Sequence, residues 1–344
     1  MPNKARRQRK SPLGGVSRGE RVELLEGRNR YIWGLRRRPW LPLQIEHRML
    51  KFKRRRLLVI VALAGPILWL GSSAWVTWKF TRRSGAPFPE PPPQVTWANV
   101  EGHRLDTSDG QQLGAWLVRG DPQKGCVVLI HGIRSSRRQM LPVMQYLAEA
   151  HFTVLAISLR SHGDSTGEIY DFGWSARHDV AAAVEFLQKD CPQRPIYIVG
   201  RSLGAATAIF AAEDLKKQVA GYFLEQPYKD LKSATWNRSQ HHLPPILDWM
   251  AYGGLRLWAP VFLPVAPDEL SPYDHIQDIP EGVPVVFVTG SADRDAHLDE
   301  VTAMYRRIES HAKLVVFDGA RHENLDGANP ELYWTTLLSF LNPR

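Results

Sequence analysis

A serine between glycines, an aspartate and a histidine, each set just after a short apolar run, are the side chains here whose types and spacing suit catalysis. The serine is Ser202 in Gly200-Arg201-Ser202-Leu203-Gly204. The others are Asp293 in Thr289-Gly290-Ser291-Ala292-Asp293 and His322 in Gly319-Ala320-Arg321-His322. A serine hydroxyl is a weak nucleophile at neutral pH until a base takes its proton and a third group fixes the tautomer of that base. Ser, Asp and His in this chain order supply the three roles, and the chemistry they perform together is acyl transfer. The negative charge that develops on the carbonyl oxygen calls for backbone N–H donors. Leu203 offers one, and the loop after Cys126–Ile130 offers a second at Ile133, with Arg134 as the fallback.

Each residue also has a plainer reading. Ser202 suits the start of a helix as a capping residue. Asp293 also suits a cap, Asp295 competes for its role, and Glu225 is an outside candidate. His322 is one of 12 histidines. Order and placement favour the joint reading, because every member follows a strand-like run, at the edge where open parallel sheets place their sites. His131 and His162 are read as residues that shape loops beside the site.

The elements that must position these groups alternate between strand and helix, which argues for an α/β sheet with parallel central strands. Arg104–Thr107 and Leu113–Val118 flank Ser108-Asp109-Gly110 as an opening hairpin. Cys126–Ile130, Thr153–Ile157, Ile196–Val199, Val219–Leu224, Val285–Val288 and Leu314–Phe317 read as strands. Helical segments are expected near 138–150, 174–188, 205–212, 298–308 and 331–340. Residues 230–273 break the rhythm with prolines and large apolar groups.

Charge divides the chain. Residues 1–56 hold 18 Lys and Arg against 4 Glu, which leaves −5 for the remainder of an overall +9. The basic run ends directly against Leu57–Trp78, 22 residues without a charge, long enough to cross a bilayer as one helix. The basic segment 1–56 is therefore read as a cytoplasmic arm that flanks a membrane, disordered or, over residues 1–48, lying on anionic headgroups, and not as a nucleic-acid binder. The excess of cations before the span places the N-terminus in the cytoplasm and the C-terminal part outside. The alternative is a start at Met49 with cleavage at Ser72-Ser73-Ala74. Residues 79–94, rich in proline, read as a semi-rigid spacer, with the domain proper over 95–344. Cys126 and Cys191 are either two small buried residues or one disulfide.

His131-Gly132, Arg160-Ser161-His162-Gly163-Asp164-Ser165, the pentapeptide around Ser202, Gly290-Ser291-Ala292-Asp293 and Gly319-Ala320-Arg321-His322 together resemble the successive motifs of the α/β-hydrolase superfamily. The sequence is most similar to its membrane-anchored branch of lysophospholipase and serine-aminopeptidase type. The resemblance runs from about residue 95 to the end. It implies a mostly parallel eight-stranded sheet flanked by helices and an acyl-enzyme mechanism with no metal and no cofactor. Ser161 departs from it, since relatives commonly have glycine there. In this family residues 230–273 would form a lid, which either lines an acyl channel or simply packs on the domain. Ester hydrolysis, on a small-molecule, lipid or thioester substrate, ranks above an aminopeptidase-type activity, for which no acidic cluster stands out. A catalytically silent scaffold at the membrane surface is the reading from another class. The sequence leaves the oligomeric state open.

Overall fold

Short apolar runs rich in β-branched residues decide most of the sheet. The computed structural model describes residues 41–322 and 325–342. Its strands are β1 (Glu101–Asp106), β2 (Gln112–Val118), β3 (Cys126–Ile130), β4 (Thr153–Ile157), β5 (Ile196–Arg201), β6 (Gly221–Glu225), β7 (Val285–Gly290) and β8 (Ala312–Phe317). They form one sheet in the order β1-β2-β4-β3-β5-β6-β7-β8. The hairpin β1–β2 and the β2–β4 pair are antiparallel, and all later neighbours are parallel. β3 and β4 are buried along their whole length, which is why both read as unbroken apolar runs.

The helices are α1 (Leu41–Phe80), α2 (Leu141–Glu149), α3 (Arg177–Asp190), α4 (Leu203–Phe210), α5 (Ala212–Leu215), α6 (Leu231–His242), α7 (Leu247–Phe262), α8 (Pro272–His275), α9 (Leu298–Arg307), α10 (Leu325–Ala328) and α11 (Pro330–Leu341). One sheet face packs against α3, α4 and α9 around Val128, Ile198 and Phe287. The other packs against α2 and α11 around Leu129, Val199 and Phe223. The irregular stretch 230–273 holds α6 and α7, whose period was hidden by the prolines at 244, 245 and 260.

Two N-terminal expectations change. Residues 1–40 lie outside the described residues, but 41–56, read above as part of an arm without structure, belong to α1. Helix-favouring Leu, Met, Lys and Arg carry it, without a glycine, from Leu41 to beyond Arg56. α1 is the one helix among the described residues that is long and apolar enough to cross a membrane. Between Leu57 and Leu68 its apolar side chains are mostly exposed; Leu58, Ile67 and Leu68 are 67%, 67% and 70% exposed.

The proline-rich stretch is not a free spacer. Residues Val61–Arg344 cluster as one unit, and two side chains of the stretch are buried in it. The Arg83 guanidinium donates to the carbonyls of Ser165 at 2.6 Å and Gly163 at 2.5 Å. The Glu90 carboxylate accepts from Ser136 Oγ at 2.5 Å and Ser158 Oγ at 3.0 Å and pairs with buried Arg137 at 3.1 Å. Trp116 Nε1 donates to the Glu90 carbonyl at 3.2 Å. Glu90→Ala leaves Arg137 with Asp164 as its remaining carboxylate. Removing one partner of a buried ion pair costs about 3 kcal/mol or more, so urea unfolding of this variant is expected to show a loss of about 3 kcal/mol.

Candidate active site

Ser202 owes its position to a turn that few residues tolerate. It follows β5 directly, with φ 51° and ψ −108°, and leads into α4. The turn is held by the Ser202 N–H, which donates to the Glu225 carbonyl at 2.7 Å. Both flanking glycines are required by contact. A Cβ on Gly200 would sit 2.6 Å from the Gly204 carbonyl oxygen, and one on Gly204 would sit 2.4 Å from the Ile130 carbonyl oxygen. The small residues of α4 let it lie this close to β3, so the serine is lifted off the sheet edge.

The three expected side chains meet there. Ser202 Oγ lies 2.8 Å from His322 Nε2, and His322 Nδ1 lies 2.8 Å from Asp293 Oδ2. With Nδ1 donating to the carboxylate, Nε2 is left as acceptor for the serine hydroxyl. The second Asp293 oxygen accepts the backbone N–H groups of Asp295 at 2.8 Å and Ala296 at 2.9 Å. The Asp293 side chain is inaccessible to solvent and that of His322 is 13% exposed. Gln226 steadies the histidine loop, its Nε2 donating to the Arg321 carbonyl at 3.1 Å.

The rival acids are occupied elsewhere. Glu225 is buried, accepts Arg201 Nε at 2.7 Å and the Tyr333 hydroxyl at 2.5 Å, and so braces the turn from below. Asp295 faces the histidine of a lid helix, with Oδ1 3.2 Å from His241 Nδ1. Of the donor candidates, the Arg134 N–H is already given to His162 Nε2 at 3.2 Å. The Ile133 N–H has no protein acceptor among the described residues, and Leu203 N–H, at the first turn of α4, is free of an intrahelical partner.

His131 and His162 act as expected of loop-shaping residues. His131 Nδ1 donates to the Gly132 carbonyl at 2.6 Å, and its Nε2 accepts the Leu159 N–H at 3.0 Å. Burial foremost, with the neighbouring His162, pushes its pKa down to about 3 from 6.5. The unfolded chain therefore binds a proton between those values that the fold refuses, so the contribution of His131 is complete above pH 6.5 and is lost as the pH falls toward 3. Between pH 7 and pH 5 this amounts to about 2 kcal/mol. Urea unfolding at the two pH values is expected to show a smaller acid loss, by that amount, in His131→Gln. Ser161 sits at φ 62° and its hydroxyl donates to the Ile169 carbonyl at 2.8 Å. Cys126 and Cys191 are buried free thiols.

A cavity of about 700 Å³ opens at Ser202. Leu203, Ile133, Tyr170, Phe172 and Tyr228 form its floor, α6 and α7 its cover, and Val76, Thr77, Phe80 and Thr81 of α1 a further wall. Its charged lining consists of Arg134, Arg238, Arg256, and Lys232 paired with Asp268 at 2.7 Å. The Tyr170 hydroxyl is buried without a partner among the described residues. No signal in the sequence marked Tyr170 or the α1 wall, since both reach the site through tertiary packing alone.

Residues 127–333 match the model of an alpha/beta hydrolase family. Human monoglyceride lipase is 32% identical over 128 residues, 36% of this chain and 42% of that protein. The chain thus spans less than half the length of the lipase it matches. Human protein ABHD12B is 24% identical over 280 residues, covering 71% of this chain and 73% of its own. Among solved structures, the Pyrococcus furiosus esterase Pf2001 superposes with a TM-score of 0.59 at 23% identity, over 74% of this chain and 98% of the esterase.

Proposed function

The chain belongs to the alpha/beta hydrolase family, and on that premise we propose that it is a membrane-anchored serine esterase. The observation that carries the proposal is the pair of 2.8 Å contacts from Ser202 through His322 to Asp293 at the mouth of a largely apolar cavity. In this mechanism Ser202 Oγ attacks the ester carbonyl carbon as its proton passes to His322 Nε2, and Asp293 stabilises the imidazolium. The oxyanion faces the N–H groups of Leu203 and Ile133. Collapse breaks the ester C–O bond, and the alcohol leaves with the proton from His322. Water repeats the sequence on the acyl-enzyme, releasing the acid and restoring Ser202.

The likeness to a monoglyceride lipase supports an ester substrate with an acyl chain. The cavity charges speak against an aminopeptidase, because its one carboxylate, Asp268, is already neutralised by Lys232 while three arginines face the space. The cation excess before residue 57 supports an N-terminus in the cytoplasm and a catalytic domain on the far side. A fluorophosphonate probe tests the catalytic part: labelling of the wild type that disappears in Ser202→Ala is the expected result. An unlabelled wild type would contradict it and favour a silent scaffold.

A further inference from the structure

The membrane helix does more than hold the enzyme at a surface. From Trp69 onward α1 is packed against the lid helix α7: Trp69 Nε1 donates to the Met250 carbonyl at 3.1 Å, and Trp258 Nε1 donates to Ser73 Oγ at 3.1 Å. Between these contacts the helices touch, since a Cβ on Gly254 would fall 2.4 Å from Ser73 Cβ. Small residues at a crossing are how helices approach closely in lipid. Thr77, one turn further, is 2% exposed. At 1.5 Å per residue, Trp69 lies about 13 Å deeper along the span than Trp78. The part of α7 that touches it therefore lies at hydrocarbon depth. The outer face of α7 suits that solvent: Trp249, Leu257 and Val261 are 64%, 50% and 64% exposed.

The last turn of α1 also reaches the chemistry. The Arg134 guanidinium lies 4.7 Å over the Phe80 ring, and Arg134 adjoins Ile133, the candidate oxyanion donor. Val76, Thr77 and Phe80 line the same cavity as Ser202. We propose that the end of the membrane helix is one wall of the acyl-binding site, and that α7 dips into the outer leaflet beside it. The substrate is then a long-chain acyl ester resident in that leaflet, whose chain lies in the cavity walled by α1 and α7. This rests on the serine-esterase reading above and names the substrate of that site.

The test uses the full chain in phosphatidylcholine nanodiscs and a hexadecyl fluorophosphonate with a terminal diazirine. After reaction at Ser202, irradiation is expected to crosslink the chain end to α1 or α7, with the peptide holding Val76–Thr81 among the products. An adduct whose crosslinks all miss that peptide overturns the wall, whereas no adduct at all overturns the esterase reading instead. In a second arm, Val76→Trp is expected to lower the ratio of kcat/KM for 4-nitrophenyl palmitate to that for the butyrate at least tenfold. Leu63→Trp, at a site 62% exposed on the uncovered part of α1, leaves the ratio unchanged. An unchanged ratio in Val76→Trp overturns the proposal, and if that variant does not fold, the crosslink in the unaltered chain decides.

Discussion

Ser202→Ala is expected to lower kcat on a short-chain ester by roughly 10⁴-fold or more, the scale seen when the nucleophile of such a triad is removed. KM should change little, because the cavity walls that hold the acyl part stay in place. The same position makes a second result informative. Ser202 is held at φ 51° and ψ −108°, where a side chain costs on the order of 1–3 kcal/mol. Alanine keeps that strain and glycine removes it. Ser202→Gly should therefore be as inactive as the alanine variant and yet unfold at a higher temperature. Equal melting temperatures for the two would show that the turn is not strained, and substantial turnover by either would remove Ser202 from the chemistry.

Asp293→Asn should be nearly as damaging, and its geometry says why. One carboxylate oxygen accepts two backbone N–H groups, from Asp295 and Ala296, so the amide oxygen of asparagine must take that place. The amide NH₂ is then turned toward His322 Nδ1. A donor there reverses the tautomer and puts the ring proton on Nε2, where Ser202 needs an acceptor. A loss in kcat of about 10⁴-fold follows from the wrong tautomer in this arrangement. Asp295→Asn removes the ion pair with His241 and leaves the hydrogen bonds of His322 in place, and should stay within about threefold, since a partly exposed pair of this kind contributes little. Comparable losses in both variants would reassign the acid.

Much of this site was legible because its parts are local. The strand before Ser202, the glycines around it and the small apolar helix after it lie within fifteen residues, and each has a local steric reason. Asp293 and His322 could be placed because β7 and β8 announce themselves as apolar runs and the acid and base follow each at once. What was illegible depends on partners far away in the chain. Glu90 looks like part of a solvated proline spacer until Arg137, Ser136 and Ser158 are seen to surround it. Glu225 looked like a possible catalytic acid because nothing nearby in sequence reveals Arg201 and Tyr333 as its partners. The lid helices were missed for a different reason: prolines and large apolar groups spread over every face erase the 3.6-residue period by which a helix is read. The wall contributed by Val76 and Phe80 belongs to a helix whose composition speaks only of lipid.

The seating of Arg83 and Glu90 has a kinetic consequence. A catalytic domain on a slack tether samples the aqueous phase and meets substrate at its bulk concentration. Here the connection after the last turn of α1 is held against the domain at two points, by the buried contacts of Arg83 and of Glu90. An enzyme anchored as proposed would be confined to a two-dimensional search, and its natural concentration unit would be the mole fraction of ester in the leaflet. Diluting that ester with inert lipid should slow turnover, while diluting the vesicles with buffer should leave the rate per enzyme as it was.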